Sequence, residues 1–189
     1  STNAYATLTT GTVDHGNGTR RVFTYWSGDA YGTIYSKSDP IHMNQNKTAI
    51  ANWKTQYYLT VTSPYDSPTP TSGWFDAGKS ITASVTSPVS APAGTRYVCT
   101  GWTGTGSVPP SGLTTSVTFT INAPSSITWT WKTQYLLTVR TDPMGLNPQP
   151  TRSPAGEAGQ GGWWYDSSTS VNLTAQLVTN CDFLNWDVD

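Results

Sequence analysis

Five aspartates, Asp66, Asp76, Asp166, Asp182 and Asp187, are the side chains whose type suits acid–base chemistry. A glycosidase needs two facing carboxylates about 5–10 Å apart, one with a raised pKa so that it can give up a proton. Here the carboxylates are scattered along the chain, and two of them repeat a local pattern: Trp74-Phe75-Asp76 returns as Trp164-Tyr165-Asp166. An aspartate at a repeated turn beside a tryptophan is placed to cap backbone, so these residues read as structural. The sequence holds no Gly-x-Ser-x-Gly, no Cys/His pair and no phosphate loop, and the expectation is a protein that is not an enzyme and carries no cofactor.

Metal chemistry fares no better. His15 lies in the turn Asp14-His15-Gly16, and His42 alternates with Ile41 and Met43, with no cysteine or carboxylate at ligand spacing. Both histidines read as solvated, and no metal site is expected. Cys99 and Cys181 are the candidate disulfide pair; in an oxidising compartment the bridge would add roughly 4 kcal/mol in the chain-entropy account. The other reading makes Cys99 a buried thiol, because related segments carry Phe23 and Phe183 at its position. Asn17, Asn46 and Asn172 each begin an Asn-x-Thr sequon and are the candidate N-glycosylation sites, the first two in turns. Sugar rings stack on exposed aromatics, which makes the nine tryptophans worth sorting. Trp26, Trp53, Trp102, Trp131 and Trp186 sit at repeated positions and read as core. Trp129 and Trp163 have no clear counterpart and are the candidates for an interface or a ligand.

These residues must be positioned by strands, because an apolar 3.6-residue period nowhere lasts two turns. Residues 3–10 alternate like a half-buried strand, and Arg20–Trp26 is read as the next, with Val22, Thr24 and Trp26 on one face and Arg21, Phe23 and Tyr25 on the other. Ile41–Asn44 and Thr48–Lys54 follow, the latter running on toward Val61. Then come Ile81–Val85, Arg96–Trp102, and a strand pair, Val117–Ile121 with Ile127–Trp131, turning at Asn122–Ser125. Ser170–Leu177 and Cys181–Trp186 close the series, after a long Pro/Gly-rich loop from Asp142 to Gly162.

The strands fall into a repeat. Trp53-Lys54-Thr55-Gln56-Tyr57 returns as Trp131-Lys132-Thr133-Gln134-Tyr135, and Gly18-Thr19-Arg20 through Gly28 matches Gly94-Thr95-Arg96 through Gly104, at offsets of 78 and 76 residues. The expected units are a partial β-repeat at 1–56, a complete one at 57–134 and a partial one at 135–189. Tyr57–Val61, Gly73–Gly78, Val98–Gly104 and Ile127–Trp131 together resemble the divergent B-repeat of the internalin (Listeria–Bacteroides repeat) superfamily. The resemblance implies small all-β domains strung along secreted surface proteins as stalks or spacers, without catalytic residues. The chain departs from the pattern at Cys99 and in the Asp142–Gly162 loop.

Composition points the same way. Charged residues are 11% of the 189, and the net charge of −1 with no basic run speaks against nucleic acid as a partner. Apolar runs reach only strand length, so membrane insertion is not expected. No signal peptide is visible, as in a chain from which it has been removed. The fold expected is all-β: tandem small β-sandwich or β-grasp-like domains in line, with essentially no helix and almost no linker, hence stiff. The function expected is structural and extracellular, at the cell surface: a segment or subunit of a filament or stalk. Its partners would be copies of the chain, or neighbouring repeats of a longer one. The partial terminal units read either as a slice of such a longer chain or as halves that complete one another head to tail by strand addition. The alternative function is an adhesin or carbohydrate-binding module, with surface glycans as partner.

Overall fold

The computed structural model describes residues 2–142 and 144–187. It is all-β, and the chain forms two compact units, Ser1–Thr86 with Thr100–Thr130, and Ser87–Cys99 with Trp131–Asp189. Two strands, Thr95–Thr105 and Ser125–Leu137, give residues to both units. The positions 56/57 and 134/135, where the repeats abut in the sequence, lie inside the unbroken strands Ala49–Thr62 and Ser125–Leu137.

In the first unit, Ala49–Thr62 is the strand on which the others are laid. Ala49 to Tyr57 runs antiparallel to Thr19–Gly28, Gln56–Leu59 runs antiparallel to Gly73–Asp76 on the other side, and Leu59–Thr62 runs parallel to Ser125–Thr128. Thr12–Asp14 folds back on Arg20–Val22. Its turn is held by side chains: Asp14 Oδ1 accepts from the Gly16 amide and Asn17 Oδ1 from the Thr19 amide.

Three expectations change here. Strict alternation would put Phe23 and Trp26 on opposite faces, yet both enter the core, with Ala30 and Ile41. A bulge is the reason: Phe23 opposes Trp53 and Tyr25 opposes Asn52, so Thr24 is the extra residue and the faces exchange beyond it. Of residues 3–10, only Asn3–Ala4 forms a ladder, with Ile41–His42. The rest is tied to the loop opposite, Ala6 and Leu8 donating amides to Ser38 Oγ and the Tyr35 carbonyl. The strand pair expected across Asn122–Ser125 does not form. Ser116–Thr120 pairs with Ser80–Ser84 in a separate two-stranded sheet, while Ser125 onward joins Leu59–Thr62. The chain changes sheets at this corner, so Phe119, Ile121 and Ile127 are all buried.

In the second unit, Gln134–Leu137 runs antiparallel to Trp163–Asp166. The long loop is not wholly irregular. It contributes Glu157–Gly159, which hairpins onto Gly162–Asp166 through Gln160 and Gly161, both at positive φ as a two-residue primed turn requires, and Thr151–Ser153, which pairs with Asn172–Thr174. The expected strand Cys181–Trp186 is absent. Cys181 makes an isolated bridge to Val178, and Asp182–Trp186 has no ladder to hold it extended, which leaves Phe183, Leu184 and Trp186 exposed.

Candidate functional site

The repeated pentapeptide explains itself in side-chain contacts. Two residues apart on one strand, Lys54 and Gln56 share a face, and the neighbouring strands bring Arg20 and Asp76 to either side. Arg20 Nε donates to Gln56 Oε1 at 2.8 Å. Gln56 Nε2 donates in turn to Asp76 Oδ1 at 2.6 Å, and Lys54 Nζ reaches Asp76 Oδ2 at 3.0 Å. The Arg20 guanidinium also covers the Trp74 ring, 4.5 Å from its centroid.

The second unit builds the same clasp from Arg96, Gln134, Asp166, Lys132 and Trp164. Arg96 Nε donates to Gln134 Oε1 at 2.7 Å, Gln134 Nε2 to Asp166 Oδ1 at 2.8 Å, and Lys132 Nζ to Asp166 Oδ2 at 3.0 Å. Arg96 again lies 4.5 Å from the tryptophan centroid. One member is added. Arg96 Nη2 makes no directed hydrogen bond, and its charge is met by Glu157 Oε2 at 2.6 Å. Backbone bonds recur with the side chains: the Tyr58 amide donates to the Gly18 carbonyl and the Leu136 amide to the Gly94 carbonyl.

The electrostatics of the two clasps are those of a fastening. The hydrogen bond from Gln56, then that from Lys54, holds the Asp76 carboxyl below the usual carboxylate range. At Asp166 the Lys132 bond comes first and Gln134 second, with the same result. A glycosidase acid needs the opposite displacement. Asp76 and Asp166 also differ from the backbone caps read in the sequence, since their carboxylates take side-chain donors; only their main-chain carbonyls close the turns, to the Lys79 and Thr169 amides. Asp66 accepts from the Thr86 amide, and Asp187 from Asn185. Asp29, which sequence reasoning passed over, ties Thr48 and Lys47 to the end of the Thr19–Gly28 strand, and the Thr48 amide chiefly lowers its pKa.

Of the remaining candidates, His15 and His42 are exposed, and no group of three or more His, Cys, Asp or Glu converges among the described residues. Cys99 and Cys181 do not form the expected bridge with one another. Cys99 is half-buried inside the Thr95–Thr105 strand, its amide donating to Ser87 Oγ, while Cys181 stands exposed in the turn with Val178. Asn17, Asn46 and Asn172 are all exposed. Trp129 is 1% exposed, so its ring offers no face to a ligand. Trp163 is half-buried and already covered, the Arg152 guanidinium lying 3.1 Å from its centroid. Among the aromatics that are exposed, Tyr25, Tyr31 and Tyr35 lie in and beside the loop after the first long strand. Arg20, Arg96, Gln56 and Gln134 were the residues missed as a set; their recurrence at matching offsets was the signal. Comparisons with protein-family models, characterised proteins and solved structures find no match to the chain.

Proposed function

We propose that the chain is a non-enzymatic structural segment of an extracellular stalk or filament, with neighbouring copies or neighbouring repeats as its partners. The observation that carries this reading is the clasp built twice. In each, the arginine, the glutamine, the aspartate and the lysine are spent on one another across adjacent strands, which leaves a lateral fastening where an active site would keep a reactive group. Scarce charge, abundant Ser and Thr, and the likeness to internalin-type B-repeats support the same direction.

The test is force spectroscopy on the chain held between inert handles. A load-bearing segment gives a distinct unfolding peak, lowered when Gln56→Leu and Gln134→Leu are combined. Extension without a peak would sink the reading. The rival, a carbohydrate-binding module, draws its support from exposed Tyr25, Tyr31 and Tyr35. A glycan array decides it: saturable binding that is lost in Tyr31→Ala favours the module.

A further inference from the structure

Of the ten asparagines in the chain, Asn17 alone is followed by glycine. The others precede a residue with a side chain or, at Asn147, a proline, which has no amide hydrogen. Asn17 and Gly18 lie in the turn between Thr12–Asp14 and Thr19–Gly28, with Asn17 exposed. The fold demands glycine at 18: its φ is 76°, and a Cβ there would stand 3.0 Å from the Pro124 ring.

The Thr19 amide donates to Asn17 Oδ1 at 3.1 Å, which folds the carboxamide back along the main chain. A hydrogen bond to that oxygen draws electrons from Cγ, as the donors of an oxyanion hole do from a carbonyl carbon. Gly18 gives its carbonyl to the Tyr58 amide at 2.9 Å, while its own amide donates to nothing among the described residues. An electrophilic carbon and an unengaged backbone nitrogen thus lie on consecutive residues of a turn open to water. The second unit lacks the pair. Gly94 matches Gly18 and accepts from the Leu136 amide in the same way, but Ala93 stands where Asn17 does.

We propose that Asn17 is a site of spontaneous deamidation through Gly18, and that the reaction loosens the first clasp while sparing the second. The Gly18 nitrogen, giving its proton to water, attacks Asn17 Cγ. The carboxamide C–N bond breaks, ammonia leaves, and a five-membered imide closes. Water then opens the imide at one carbonyl or the other, giving aspartate or isoaspartate. No oxidant, cofactor or enzyme takes part. Either product adds one negative charge to a chain of net charge −1. Isoaspartate also lengthens the main chain by one methylene just ahead of Thr19. The ladder beyond that point sets Thr19 against Tyr57 and Arg20 against Gln56, and the Tyr58 bond to the Gly18 carbonyl closes its end. A longer turn pulls Arg20 from its place beside Gln56 and over Trp74. The lost ammonia does not return, so the turn dates the chain, and older copies carry the weaker first clasp. This holds whether or not the chain bears load.

The test is to hold the folded chain in mildly alkaline buffer for weeks and follow it by peptide mapping, with isoaspartyl methyltransferase as the label for isoaspartate. Trypsin releases residues 1–20 as one peptide, in which Asn3 is an internal control. Conversion is expected at Asn17 well ahead of Asn3 and of the asparagines elsewhere. Amide exchange at Tyr58 should then quicken about tenfold, while Leu136 keeps its protection. Asn17→Ser retains an oxygen for the Thr19 amide and cannot form the imide. Circular dichroism checks its fold, and its Tyr58 amide should stay slow throughout. Asn17 intact after another asparagine has converted overturns the proposal. So does a converted chain whose Tyr58 amide exchanges as before, or an Asn17→Ser chain whose Tyr58 amide quickens equally.

Discussion

Ser168 occupies, at a φ of 67°, the turn position that Gly78 holds at a φ of 81°. Each is the second residue after the clasp aspartate, and each turn closes with an amide donating back to that aspartate's carbonyl. Left-handed backbone is natural for glycine and costs a residue with a Cβ about 1 kcal/mol. Ser168→Gly should therefore raise the stability of the second unit by about 1 kcal/mol, and Gly78→Ser should lower that of the first by a like amount. Urea midpoints at unchanged slope measure both. No change in either would show that the turns relax into other conformations.

Gln134 is 4% exposed and Gln56 half-buried, though they make the same bonds. In Gln134→Leu the Arg96 Nε, on a side chain 12% exposed, and one oxygen of the half-exposed Asp166 lose their partner, for which about 1–3 kcal/mol is expected. Gln56→Leu should cost less, because water can reach the groups it abandons. Equilibrium unfolding of the two variants ranks them, and the reverse order would contradict the burial argument.

Acid should loosen both clasps. The folded pKa values of Asp76 and Asp166 lie below the ordinary 3.8, so folding is favoured while both carboxylates are charged. That stability is fully present above the unfolded value and is lost as pH falls through the lowered folded values. Both side chains are about half exposed, so the contribution is small and screened by salt. Melting temperature followed below pH 5 should fall less steeply in the Asp76→Asn, Asp166→Asn double variant than in the parent chain.

Trp129 and Trp163 looked alike in sequence and should part company in stability. Trp129→Ala empties a buried site and should cost about 3–5 kcal/mol. Trp163→Ala removes a half-buried ring that Arg152 covers, and should cost well under half as much. Thermal melts distinguish them. A small loss at Trp129 would mean that its surroundings collapse to fill the space.

Much of this was legible in the sequence. Two copies of Trp-Lys-Thr-Gln-Tyr announced one strand made twice, and the matching Arg20 and Arg96 lay in plain view. That Gln56 would link Arg20 to Asp76 was hidden, because the contact joins three strands and pairing across a sheet leaves no local trace. The bulge at Thr24 was illegible for a related reason: an extra residue is a property of two strands compared, and Thr19–Gly28 alone reads as clean alternation. The failure at Cys181–Trp186 runs the other way. Its pattern matches a strand, but an extended segment persists only where a neighbouring ladder accepts it.

The strand Ala49–Thr62 meets three different neighbours along fourteen residues, with Lys54 and Gln56 committed to the clasp and Leu59 to the core. Successive side chains point to opposite faces, so adding or deleting one residue between Gln56 and Leu59 would turn every side chain beyond it over. Leu59 would face water while its neighbours turned polar groups inward. This stretch can drift in chemistry, one side chain at a time, but its length is frozen, and variation in spacing falls to the loops that flank it, at 43–48 and 63–72.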